Sequence, residues 1–153
     1  MKLKSTIIVV KDLSTSKKFY RQILGLKVLL TFNGCVTLSS GIVLQSYELW
    51  KDMIHRGDDD ICLPNHACAL NFEVEDLDEF IIKLDQYNIP LVHPIKEQAW
   101  GQRVVRFYDP DGHIIEVCET LKKVVKRFLN KGLSYEEVSK LMGLPIDYVK
   151  KIH

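Results

Sequence analysis

Two stretches of this chain alternate between apolar and other positions in the same order, and the order of elements they predict is the same in both. Residues 5–10 (Ser-Thr-Ile-Ile-Val-Val) read as a buried strand rich in β-branched residues. Lys11-Asp12-Leu13 leads to Ser14, an N-cap residue type, and to a helix through Leu24 with Phe19, Ile23 and Leu24 on its inner face. Gly25 stops it, and strands follow at about 26–33, 35–39 and 42–47, with Asn33-Gly34 as a hairpin turn. A β-α-β-β-β unit results.

A shift of 64 residues brings the pattern back: Val10, Asp12, Leu13, Gln22 and Val28 meet Val74, Asp76, Leu77, Gln86 and Val92 as identities. The second unit is predicted as a strand at 67–74, a helix at 77–88 and strands near 91–96, 102–108 and 113–118. Gly41-Ile42-Val43-Leu44-Gln45 in the first half matches Gly112-His113-Ile114-Ile115-Glu116 in the second. A Pro110-Asp111-Gly112 turn precedes that closing strand. Between the units, about 48–66, Asp58-Asp59-Asp60 and Pro64 predict a loop with a helical turn. The fold class is α+β, with domain boundaries of 1–119 (units about 4–47 and 67–119) and a helical extension over 120–153.

In that extension Leu121, Val124, Val125, Phe128 and Leu129 line one helix face, and Lys122, Lys123, Lys126 and Arg127 lie opposite. Ser134-Tyr135-Glu136-Glu137 is a capping box that starts a second helix; Gly143 ends it, and Pro145 suits the first turn of a third. The last two helices are similar to a helix-turn-helix. Asp147, Tyr148, Lys150 and Lys151 would be its reading face, without an Arg, the commonest reader of guanine edges. A helical cap packing on the domain or on a partner subunit is the preferred reading, and nucleic acid is not expected as a partner.

Composition changes the picture little. With 153 residues, 46% hydrophobic and 27% charged, this is the balance of a globular protein. No apolar run approaches a membrane span, and Met1-Lys2-Leu3-Lys4 lacks a signal-peptide core, so a cytoplasmic location without membrane contact is expected. Cys35, Cys62, Cys68 and Cys118 show no Cys-x-x-Cys spacing and are expected to be buried reduced thiols. Charge is uneven. Residues 1–119 carry 13 of the 21 basic and 17 of the 20 acidic side chains, a balance of −4, whereas 120–153 carry 8 and 3, a balance of +5. No phosphate loop, dinucleotide fingerprint or Ser-His-Asp order is present.

Val10-Lys11-Asp12-Leu13, Phe19-Tyr20, Leu24-Gly25 and Phe107-Tyr108-Asp109-Pro110-Asp111-Gly112 with Glu116 carry a resemblance over residues 4–119. The chain resembles the vicinal oxygen chelate superfamily, which holds glyoxalases, bleomycin-resistance proteins and extradiol dioxygenases. The resemblance implies two units whose mixed sheets curl into a cup with helices outside and a ligand inside, and a homodimer. Metal-dependent members place four ligands at positions that here read Ser5, Gln45, Ala69 and Glu116. His is usual at the first and third, and Ala69 has no lone pair to give. No tightly bound metal is therefore expected; Glu116 and Gln45 would hold a divalent ion if one is present.

Strand alternation fills in the inner face. With Glu116 inward, Ile115 and Val117 face helices; Val105 and Phe107 do the same on the neighbouring strand, leaving Gln102, Val104, Arg106 and Tyr108 inward. Asn71 and Glu73 share a face with Ala69, and Val43 and Tyr47 share one with Gln45. Glu116 is thus the candidate catalytic residue, and Ser5, Gln45, Tyr47, Asn71, Trp100, Arg106 and Tyr108 are the candidate substrate-binding set. A small polar or anionic ligand is expected. A metal-dependent lyase or dioxygenase and a ligand-sensing DNA-binding regulator are the alternatives.

Overall fold

The computed structural model describes residues 1–153. The chain divides into two compact units, residues 1–68 with 108–114, and residues 69–107 with 115–153. Each contains a four-stranded sheet, and the fold is α+β throughout.

The first unit runs β1 (Thr6–Val10), α1 (Leu13–Gln22), β2 (Val28–Phe32), β3 (Cys35–Leu38), β4 (Ile42–Ser46) and α2 (Tyr47–Ile54). Its strand order is β1-β4-β3-β2, with β1 parallel to β4 and the other pairs antiparallel. Asn33 (φ 46°) and Gly34 (φ 74°) both take positive φ, as a tight turn twisting with its strands requires. Val10, Tyr20, Val36, Leu38 and Leu44 are buried to 2% exposure or less and form the core.

The N-cap of α1 is Asp12 rather than the expected Ser14: its carboxylate accepts from the Thr15 amide at 2.5 Å. Asp76 does the same for the Glu79 amide at 3.0 Å, so an aspartate repeated at 64-residue spacing serves the same end of the same helix. The segment after β4 is also corrected. In place of a loop with one turn, α2 extends for eight residues, braced by Lys51 between Glu48 and Asp58 at 2.9 Å each.

Residues 108–114 form the Pro-Asp-Gly turn, and Asp109 is its centre. Its buried carboxylate accepts from the Asp111 and His113 amides (2.9 and 2.8 Å), the Tyr20 hydroxyl (3.0 Å) and His113 Nδ1 (2.9 Å). His113 is enclosed by this network, because only a donor-rich pocket makes a buried carboxylate tolerable. Burial and Asp109 together push the Tyr20 phenol far above its ordinary range.

The second unit runs β5 (Ala69–Val74), α3 (Leu77–Gln86), β6 (Leu91–Glu97), β7 (Arg103–Tyr108), β8 (Ile114–Glu119), α4 (Leu121–Asn130), α5 (Tyr135–Met142) and α6 (Ile146–Ile152). Its strand order, β5-β8-β7-β6, repeats that of the first sheet. Phe107, Ile115 and Val117 are fully buried on the helix side, and Phe107 meets Phe80 of α3 with ring centroids 5.9 Å apart.

The three C-terminal helices enclose their own core of Val124, Val125, Phe128, Val138, Met142 and Val149. The Ser134–Glu137 capping box forms in full. Within this unit α4 is fastened to the sheet. Arg127 bonds Glu119 and the Gly101 carbonyl, Lys123 donates to the Glu75 carbonyl at 2.7 Å, and Phe128 lies flush on Gly101. A Cβ at Gly101 would come within 2.2 Å of the Phe128 ring, and φ there is +85°, so only glycine fits. The cysteines are all free thiols, but Cys62 and Cys68 are exposed where burial was expected, since both lie outside the regular elements. No helix is long and apolar enough to cross a membrane.

Candidate functional site

On β8 the alternation that buries Ile115 and Val117 turns Glu116 to the opposite face, and on β7 the alternation around Val105 and Phe107 does the same for Arg106. The two meet in an ion pair, with the Arg106 side chain 31% and the Glu116 side chain 21% exposed. Asn71 of β5 donates its amide N–H to the other carboxylate oxygen of Glu116. Three of the expected residues, Asn71, Arg106 and Glu116, are therefore brought together on one face of the second sheet.

A fourth member of the cluster comes from the edge strand β6. His93 of β6 lies opposite Arg106, and its Nε2 is 3.1 Å from the guanidinium. Its Nδ1 is 2.6 Å from the Pro94 carbonyl, which can only accept. Nδ1 is thus placed to donate to the Pro94 carbonyl and Nε2 to accept from Arg106. The β6–β7 register shifts on both sides of His93, so alternation alone would not have placed it; its place across the hairpin from Arg106 was the available signal.

Cys118 follows Glu116 on the same face. Burial first, then the Glu73 and Glu116 charges, raise its thiol, which donates to the Phe72 carbonyl at 3.4 Å. A thiol so held is not an activated nucleophile. Trp100 is 40% exposed in the loop before β7, and its indole N–H donates to Gln102 Oε1 at 3.0 Å.

The remaining expected residues belong to the first unit. Gln45 is 2% exposed and bonded at both ends of its amide: its Oε1 accepts from Cys35 Sγ at 2.7 Å and its Nε2 donates to the Gly34 carbonyl at 3.4 Å. Ser5 precedes β1 and is half-buried. Tyr47 is the first residue of α2, not a strand residue beside Gln45, because the chain turns into the helix directly after Ser46. Its ring lies 5.2 Å from Lys51 Nζ, and its phenol is raised by desolvation and by the bond to Asp58. Tyr108 closes β7 with its ring 6.0 Å from that of His66.

The donor set bears on metal chemistry. Ala69 opens β5 without a donor, Gln45 spends its amide internally, and Glu116 is held by Asn71 and a guanidinium. Nowhere do three or more His, Cys, Asp or Glu side chains converge as a metal-holding group.

The family described as a glyoxalase-like domain matches residues 3–122. The chain belongs to this glyoxalase-like family. Among solved structures it is similar to a protein of unknown function from Agrobacterium tumefaciens str. C58, at 39% identity and a TM-score of 0.71, covering 79% of this chain and 95% of that one. It is also similar to lactoylglutathione lyase from Agrobacterium tumefaciens, at 25% identity and a TM-score of 0.59, covering 78% and 93%. The uncharacterized protein YraH of Bacillus subtilis (strain 168) is 29% identical over 130 residues, covering 79% of this chain and all of YraH. The family match ends within the first turn of α4, so nearly all of the three-helix extension lies beyond the glyoxalase-like domain.

Proposed function

We propose that this glyoxalase-like protein holds a small polar or anionic molecule against the open face of its second sheet, without a tightly bound metal. The observation that carries the proposal is the partly exposed Arg106–Glu116 pair, flanked by Asn71 and His93. A guanidinium has five N–H donors, so Arg106 keeps some for a ligand carboxylate or phosphate while holding Glu116. Glu116 accepts a ligand hydrogen bond or takes a proton, and Trp100 supplies an aromatic wall. A cation already seated on the one carboxylate of the family's ligand positions works against a second, metallic one.

A thermal-shift screen of purified protein against small carboxylates, phosphates and neutral polyols tests this reading. Stabilisation by anions that disappears in Arg106→Gln supports it; a hit list of neutral compounds, indifferent to Arg106, overturns it. The competing reading is a lyase that uses Glu116 with a divalent ion, favoured by the 25% identity to lactoylglutathione lyase. Elemental analysis separates the two: stoichiometric metal, lost in Glu116→Ala, favours the lyase.

A further inference from the structure

The charge excess of the extension is not spread over its helices. From Ser134 to His153, Lys140, Lys150 and Lys151 are balanced by Glu136, Glu137 and Asp147. The helix-turn-helix pair α5–α6 is therefore electrically neutral, a poor design for gripping a phosphate backbone. The whole +5 lies between Lys122 and Lys131, on and just after α4.

Four of those five cations border one concavity. A groove of 620 Å³ runs along α4, lined by Lys123, Lys126, Arg127 and Lys131 on one side. Asp78 of α3, Arg103 of β7 and Glu119 of β8 border it on the other. Its carboxylates are already matched. Arg103 grips Asp78 through two bonds of 2.9 and 3.0 Å and holds that carboxyl below the usual range. Glu119, only 1% exposed, accepts from Arg103 Nε at 2.9 Å and from Arg127 at 3.3 Å. Two guanidiniums thus answer two carboxylates, and the three lysines are left over.

None of the three lysines forms a salt bridge: Lys123 donates to a neutral carbonyl, and Lys131 Nζ lies 5.9 Å from the Phe128 ring. Like charges spaced three and four apart on a helix repel. Here they are held facing a recess by the fastening of α4 to Glu119, Gly101 and Glu75.

We infer that this groove is an anion site for a small phosphate-rich molecule, separate from the Arg106–Glu116 face. The volume falls in the range of small-molecule sites. Lysine ammoniums are mobile point charges suited to phosphate oxygens, and three of them match a ligand with about three negative charges, such as a triphosphate group. The neutral α5–α6 pair offers a duplex no second foothold.

Calorimetric titration of the full chain with inorganic tripolyphosphate, orthophosphate and a short DNA duplex at fixed ionic strength tests the inference. Tripolyphosphate is expected to bind one to one, at least about tenfold tighter than orthophosphate. The double variant Lys126→Ala/Lys131→Ala should lose about tenfold or more, while Lys140→Ala/Lys150→Ala stays within about twofold. All four lysines are exposed, and circular dichroism checks that both variants remain folded. Arg106→Gln should leave the lysine-dependent part of tripolyphosphate binding intact, so failure here and failure of the proposed function are read separately. Absence of saturable binding, equal losses in the two double variants, or tighter binding of the duplex at matched phosphate concentration would overturn it.

Discussion

Cys35 and Gln45 on β3 and β4 occupy the places in the first sheet that Arg106 and Glu116 occupy on β7 and β8 in the second, both pairs offset by 71 residues. The backbone framework is the same and the chemistry is opposite. In the first sheet a thiol and a carboxamide close on each other, and the Gly34 carbonyl accepts from the carboxamide, leaving a neutral plug around the buried Gln45. In the second a guanidinium and a carboxylate meet with both side chains partly open to solvent. On the parallel neighbour, Ile7 of β1 stands where β5 has Asn71, so the first sheet also lacks the amide that steadies Glu116. The same position is spent on packing in one sheet and left partly open to solvent in the other.

The sharpest way to break that comparison is to charge the plug. Gln45→Glu places a carboxylate at a 2% exposed position with no cation beside it, and is expected to cost about 3–5 kcal/mol near neutral pH. Desolvation would raise that carboxyl's pKa in the folded state, so the cost is largest at high pH and eases as the pH falls and the group protonates. Urea unfolding of wild type and variant at two pH values measures it. A loss below about 1 kcal/mol would mean the first sheet also has room for charge, and the comparison fails.

Arg106→Gln acts on the opposite side. It is expected to weaken binding of whichever anion the screen identifies by about 2–3 kcal/mol, with a smaller effect on stability because the site is half-open. Equal affinity in both proteins would show that the second sheet's charge pair is as inert as the first sheet's plug.

Asp109 sharpens the contrast within the first unit, since a buried carboxylate is accommodated there by four donors. Tyr20→Phe removes one and should cost about 1–1.5 kcal/mol. The Tyr20 phenol is raised in the folded state above its ordinary value of 10.0, so its contribution is complete below that pH and is lost as the pH rises beyond it. The Phe variant should therefore show a flatter alkaline limb in a stability–pH profile. The smallest effect belongs to Cys35→Ser, expected within about 1 kcal/mol of wild type, because a hydroxyl keeps the donor to Gln45. A larger loss would mean the thiol's bulk, not its hydrogen bond, holds the plug.

Much of this was legible along the chain because strand and helix periodicities are local. Val105, Phe107, Ile115 and Val117 declared the helix-facing side of their strands, and the meeting of Arg106 with Glu116 followed by elimination. The Asp12–Asp76 repeat was visible, although its purpose as a pair of N-caps emerged only from hydrogen-bond geometry. His93 stayed hidden because irregular register on both sides of it breaks the alternation that would have placed it. Tyr47 was assigned to a strand because β4 and α2 abut without a turn residue between them.

By itself the amino-acid order determined the repeated β-α-β-β-β pattern, the three helices at the C-terminus and the surplus of positive charge they carry. Those properties depend on spacing and on residue type, which need no knowledge of distant neighbours. Which charges are cancelled was decided only by the tertiary structure. Gln45 is spent on Cys35 and Gly34, Glu119 on Arg103 and Arg127, and Glu116 is shared among Arg106 and Asn71. Neutralisation is a contact between residues far apart in sequence, so whether a lysine is left over or a carboxylate is left available is settled when the strands and helices pack.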